Sequence, residues 1–234
     1  TNRVVLAGEH NTYDGPWSDI SEDLDKTNVL AKWVNKQDKA EFSLTFMGYD
    51  NSWNSADQIP KRAIESGLID ELGSLDTTVG GQSDRYSLSA NWRSENLVAS
   101  AYVMSYSMNL WSNFTYFLDD PENGDQFEQV DDRTVYGGEA SYRYEHSLLG
   151  KLSTTTFGTQ FRIDDIDEVG LYHTQARQRL GVIRSDEVTE SSVGAYVNNE
   201  TYWTQRLRTV LGLRYDYFDF DVRNLAGVNA NSID

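Results

Sequence analysis

The chain contains no cysteine, so disulfide frameworks, thiolate metal sites and cysteine nucleophiles are excluded together. It also lacks any long hydrophobic run. No apolar stretch approaches the roughly 18 residues that a membrane-spanning helix needs, and mean hydropathy is −0.60. A helical membrane protein is thereby excluded for these residues, but a barrel that crosses with strands is not. Only alternate residues of each strand need be apolar, and averaging over a window hides them. Positive charge is scarce as well: 20 lysines and arginines stand against 37 aspartates and glutamates, for a net charge of −17. Nucleic acid is not an expected partner, because binding it takes a basic stripe. Residues 1–8 lack the basic region, apolar core and small-residue cleavage site of a secretory signal. A barrel has to cross the inner membrane, so the expectation is a mature chain or an internal piece.

What the chain does have is alternation. In residues 206–218, Leu207, Thr209, Leu211, Leu213, Tyr215 and Tyr217 fall on one face, and Arg208, Val210, Gly212, Arg214 and Asp216 on the other. One face suits lipid, the other water. The same period predicts further strands over 3–8, 27–34, 40–47, 85–93, 96–107, 134–144, 152–163 and 192–200, about nine in all. Short turns near 35–39, 94–95, 150 and 203–205 alternate with long polar excursions over 48–84, 111–131 and 164–190, and another polar stretch begins at 224–234. Within 48–84, residues 58–68 have the look of a short helix opened by Pro60 and closed by Gly67. Short turns at one end and long loops at the other are the signature of an outer-membrane barrel. The fold class is therefore all-β: an antiparallel transmembrane β-barrel segment, about nine strands of a larger barrel, with long extracellular loops, one holding a short helix. Bacterial single-chain barrels have an even strand count and bring their ends together, so about nine strands and an unfinished loop predict a fragment.

Aromatics gather near strand ends, with Trp33, Trp92, Tyr142, Tyr144, Tyr202 and Trp203 by the short turns and Phe46, Tyr49, Trp111, Tyr215, Tyr217 and Phe218 by the long loops. Two girdles at lipid–water boundaries would look like this, although aromatics are frequent in the strands of any sandwich. The polar faces carry Arg85, Arg93, Glu139, Arg143, Arg162, Arg208, Arg214 and Asp216, as a wet lumen would and as the solvent face of a soluble sandwich equally would. Acids collect in 119–132 and 164–168, read here as loops, and a solvated negative exterior is the plainer account of them. Counted from Asp119, a calcium loop would need ligands where Pro121 and Val130 stand, so the comparison fails. His10, His146 and His173 form no metal pattern, and neither metal nor cofactor is expected.

Several stretches resemble a TonB-dependent outer-membrane receptor, specifically the middle of its barrel. They are Tyr13-Asp14-Gly15-Pro16-Trp17, the run from Trp53 through Asn54-Ser55-Ala56-Asp57-Gln58-Ile59-Pro60 to Ala63, Gly80-Gly81 leading into Arg85-Tyr86-Ser87-Leu88-Ser89, Asn113-Phe114-Thr115-Tyr116, and Val210-Leu211-Gly212-Leu213-Arg214-Tyr215-Asp216. Together they cover most of the chain. The resemblance implies an active importer, a barrel of about 22 strands plugged by an N-terminal domain and powered through TonB, that takes up a siderophore, metal chelate or vitamin. Its implied partners are outer-membrane lipid, the small-molecule nutrient, and the TonB complex acting through a plug domain absent from 1–234. This chain departs from the pattern in showing no plug, no TonB-interacting segment and no terminal aromatic strand. Ligand contacts in such receptors come from plug and extracellular loops, which makes Trp53, Asp57, Gln58, Arg62, Asp76 and Trp111 the candidates here. Packing of the loop into a compact cap is the alternative role for each. A self-contained pore or adhesin barrel and a soluble β-sandwich binding module remain competing readings. An enzyme is the weakest, since no phosphate loop, nucleophile elbow or distinct carboxylate pair stands out.

Overall fold

Every alternating run forms a strand, and each strand pairs antiparallel with the next, so spatial order follows chain order. The strands are β1 (Asn2–Tyr13), β2 (Leu24–Lys36), β3 (Ala40–Asn54), β4 (Gly80–Ser94), β5 (Leu97–Ser112), β6 (Phe127–Leu148), β7 (Lys151–Gln175), β8 (Gln178–Tyr202) and β9 (Arg208–Asn224). The computed structural model describes residues 1–227. Among these the sheet has nine strands with β1 and β9 at its edges, and a short helix, α1 (Lys61–Glu65), interrupts the link between β3 and β4. No helix among the described residues is long and apolar enough to cross a membrane, which says nothing of strands.

The registers turn the alternation of single strands into a two-faced sheet. Because directly paired residues share a face, one row runs Val4, Trp33, Leu44, Ala90, Ala101, Gly138, Phe161, Val193, Tyr217 across all nine strands. The adjacent row on the opposite face runs Arg3, Val34, Ser43, Asn91, Ser100, Glu139, Gln160, Gly194, Asp216. The apolar face is bare: Phe161 and Val193 are each 48% exposed and Tyr217 is 52% exposed. A soluble sandwich would cover this face with a second sheet, and none exists among the described residues. Buried apolar side chains are confined to a few positions such as Val79, Val130, Val135 and Ile166.

Five arginines of the polar face are neutralised within their own strands, while Arg179 and Arg208 pair across strands with Glu128 and Glu200. Residues two apart point the same way, and Asp131–Arg133, Arg143–Glu145, Arg162–Asp164, Arg184–Asp186 and Arg214–Asp216 all pair at that spacing, the Arg162 contact at 2.6 Å and the Arg143 contact at 3.0 Å. The girdle expectation needs correcting here. Trp33, Trp92, Tyr142 and Tyr217 lie on the apolar face, but Tyr49, Tyr202 and Phe218 fall on the polar one by register.

Two expected loops are strand. Residues 127–132 belong to β6, and the excursion expected over 164–190 is instead the upper half of a β7–β8 hairpin closed by Ala176 and Arg177 alone. Beyond the apolar belt a strand meets water on both faces, so its pattern no longer alternates, and bulges near 166–169 and 171–174 shift the register further. The helix is shorter than the expected 58–68: Pro60 precedes its first turn, and Gly67, at φ 73°, follows its end. Of the polar stretch 224–234, residues 228–234 lie outside the described residues.

One close approach fixes a glycine. Tyr196 pairs with Gly158 and lies flat across it, so that a Cβ on Gly158 would sit 2.1 Å from the ring. Gly158→Ala has to displace the ring, and the expected cost is about 1–3 kcal/mol of barrel stability in denaturant titration. Adding Tyr196→Ala should restore most of that loss, whereas additive effects would mean that the ring is not the obstacle.

Candidate functional site

Three links at the long-loop end, residues 14–23, 55–79 and 113–126, are tied to one another and to the tip of β7–β8 by polar side chains and backbone groups, exposed at 14–23 and more buried around Gln126. The link 14–23 is laced to 55–79: Ser18 Oγ donates to Asp70 Oδ1 at 2.7 Å, the Ser74 amide to Asp19 Oδ2 at 3.1 Å, and the Asn54 amide to the Glu22 carbonyl at 2.6 Å. The centre of the assembly is Asp76. Its carboxylate accepts the Thr78 amide at 2.9 Å and hydroxyl at 2.5 Å, Asn113 Nδ2 at 2.8 Å and Gln126 Nε2 at 2.8 Å. Gln126, only 2% exposed, accepts in turn from Thr174 Oγ1 at 3.0 Å and the Arg177 amide at 2.8 Å. Arg177 closes the circuit, donating to the Thr78 carbonyl at 2.6 Å, Asn54 Oδ1 at 2.8 Å and the Val79 carbonyl at 3.1 Å, with its guanidinium 4.9 Å from the centre of the Trp111 ring.

This network shifts its titratable groups in opposite directions. Burial works against the Asp76 carboxylate, but the donors from Asn113, Thr78 and Gln126 outweigh it and hold the carboxyl below its usual value. Burial raises Asp57, which has one amide donor in Asn113 at 2.6 Å and the Asp76 charge nearby. Burial and these two carboxylates push the Tyr116 hydroxyl up to about 12, so it stays a donor, to the Gln58 carbonyl at 2.5 Å.

A lowered carboxyl pKa gives stability that is present above its unfolded value and lost as pH falls through the folded one. A raised one costs stability at neutral pH and returns it on protonation. Asp76 and Asp57 therefore oppose each other as pH falls, and the Asp76 contribution is lost progressively below the unfolded carboxyl value of about 4. Amide exchange in 55–79 and 113–126 is expected to stay slow down to that pH and to accelerate below it, with Asp76→Asn removing the acid step. Loosening that starts well above pH 5 would contradict the assignment.

Of the six sequence candidates, Asp57, Gln58, Asp76 and Trp111 are engaged in this network, the second through its backbone. Trp53, near the end of β3, packs against Gly81. Arg62 is exposed on α1 and borders an open cleft of about 670 Å³ between the helix and Tyr116, Phe117 and Leu118. Sequence reasoning missed Gln126, Thr174 and Arg177 and had quoted Asn113 only within a motif. No spacing announces a residue whose partners lie 48 or more positions away, as those of Gln126 and Arg177 do.

A second cleft, of about 780 Å³, was missed altogether. It lies under 113–126, with Phe114, Pro121, Phe127, Leu171 and Ile183 as apolar walls and Asp119, Asp120, Asp125 and His173 at its edges. Phe127 and Gln129 share their face with Arg133 and Glu139 along β6, and they pair with His173 and Leu171. The cleft thus opens on the polar face of the sheet. Two of the acids that suggested a calcium loop have turn-building roles: Asp125 accepts the amides of Leu118, Asp119 and Asp120, and Asp120 those of Glu122 and Asn123. Among the described residues no cluster of ligands fit to hold a metal occurs.

A family model described as TonB dependent receptor-like, beta-barrel matches residues 12–234. The crystal structure of the ferric citrate transporter FecA in its unliganded form is similar in fold, with a TM-score of 0.72 at 10% identity. The match covers 96% of this chain and 33% of that one, so the chain spans about a third of the transporter's length. No curated protein sequence matches.

Proposed function

Because the chain belongs to the TonB-dependent receptor β-barrel family, we propose that it forms part of the wall of an outer-membrane transporter for active uptake of a scarce nutrient such as a siderophore, metal chelate or vitamin. The observation that carries this reading is the sheet itself, with one continuous apolar face for lipid and one face of serines, asparagines and intrastrand ion pairs for a wet lumen. On this reading the long-loop end is extracellular and the short turns are periplasmic. The plug that meets TonB and the remaining strands belong to the receptor outside these residues. Catalysis has no part in it. The Asp76–Arg177 network holds three extracellular loops in one arrangement, and cargo meets the clefts beside it, Arg62 at one and the polar-face cleft at the other.

The test is uptake of labelled ferric chelates and cobalamin by cells expressing the whole receptor, with and without TonB. Accumulation lost with TonB supports the reading. Uptake that persists without TonB, or steady ion conductance of the purified barrel in planar bilayers, would point to a passive pore.

A further inference from the structure

We propose that the polar-face cleft under residues 113–126 selects a small organic cation with an apolar body and disfavours anionic chelates; this rests on the transporter reading and narrows its cargo. The volume, about 780 Å³, is that of a site for a drug-sized molecule. Its walls are apolar, and two of them, Phe114 and Phe127, meet edge to face with ring centres 5.4 Å apart. An exposed ring face beside a carboxylate attracts a cation twice over, through the ring quadrupole and through charge.

The charge around the cleft has one sign. Asp119, Asp120 and Asp125 border it, and no lysine or arginine does. Segments 14–23 and 113–126, both at this end of the sheet, contain acids but no basic residue. Asp120 and Asp125 are committed to the ionised state, since each receives backbone N–H groups that a protonated carboxyl would lose. His173, the remaining titratable group of the lining, places its Nε2 2.7 Å from the Gly124 carbonyl and 3.9 Å from Asp120 Oδ2. Asp119 is exposed and accepts nothing through its side chain, so its charge is available to a ligand. A carboxylate- or catecholate-bearing chelate would bring anion against anion in a partly desolvated cleft, which specificity by repulsion uses as readily as attraction.

The experiment uses two ions of the same shape and opposite charge, tetraphenylphosphonium and tetraphenylborate. Each is titrated calorimetrically into the full-length receptor in detergent micelles, with protein-free micelles as the blank. The expected result is saturable binding of the phosphonium, weakened by added salt, and none of the borate. Asp119→Lys and Phe114→Ala should each weaken phosphonium binding by about tenfold, with a heat-modifiable gel band confirming that both variants fold. Borate binding equal to or tighter than phosphonium, no phosphonium binding, or indifference to both substitutions overturns the inference. TonB-dependent uptake is scored separately. If it survives while the phosphonium fails, only the cargo class falls, and if it is absent the transporter reading falls whatever the cleft binds.

Discussion

Ala101→Arg should destabilise the folded receptor by about 2–4 kcal/mol, while Ser100→Arg, one residue earlier, should cost less than about 1 kcal/mol. The contrast follows from register. Ala101 pairs with Ala90 and Gly138 on the apolar face, between the rings of Trp92 and Tyr86 along the neighbouring strand, whereas Ser100 pairs with Asn91 and Glu139 on the polar face. An arginine at Ala101 would face the hydrocarbon, where snorkelling to the headgroups only partly relieves it. At Ser100 it would meet water and the Glu139 carboxylate. Denaturant titration of the full-length protein refolded into lipid vesicles measures both. Equal costs would mean that the two faces see the same solvent, and a soluble protein would tolerate Ala101→Arg while staying monodisperse without detergent.

Neighbouring residues with opposite expected outcomes show why so much of this fold was legible. Where the sheet has lipid on one side and water on the other, each residue reports its face. The runs 40–47 and 85–93 fall inside β3 and β4, and 206–218 finds β9 with its start two residues early and its end six residues short. Legibility fails where the asymmetric solvent ends. Asp164, Asp165, Asp167 and Glu168 read as a loop, yet Asp164 pairs with Val135 and holds Arg162, and the chain continues as strand to Gln175. The turn that ends it was invisible for another reason. Two-residue hairpins that need two left-handed residues ordinarily use Asn-Gly, and here Ala176 and Arg177 adopt φ values of 47° and 65°. The clefts were illegible because their walls come from separate strands and a loop, Phe114 and Ile183 being 69 positions apart (183 − 114).

That strained turn makes Arg177 the residue whose loss should be felt most at the extracellular end. A left-handed conformation costs a non-glycine residue roughly 1–2 kcal/mol, so the tip keeps its shape only because something holds it. Thr174 and His173 also bond residues 124–126, but Arg177 makes the largest set of holding contacts: its guanidinium donates to the Thr78 and Val79 carbonyls and to Asn54, and stacks on Trp111, while its own amide meets Gln126. Burial lowers the pKa of the guanidinium while Asp76 nearby raises it, and the group stays charged at any relevant pH. Truncation to alanine removes three charge-assisted bonds and leaves the Val79 carbonyl, in a residue only 1% exposed, without its guanidinium partner. At about 1.5–3 kcal/mol for a bond to a charged group, partly offset by water entering the gap, the loop assembly should loosen by about 3–5 kcal/mol. The barrel should not, because its ladders do not pass through this residue. Arg177→Ala is therefore expected to speed amide exchange and protease cleavage in 55–79 and 113–126 while leaving the heat-modifiable band intact. Arg177→Lys keeps the charge but not the fork and should recover less than half of the protection. Arg177→Gly relaxes the turn without restoring the tie, and should behave like alanine if the bonds matter and like the native chain if turn strain alone governs the tip.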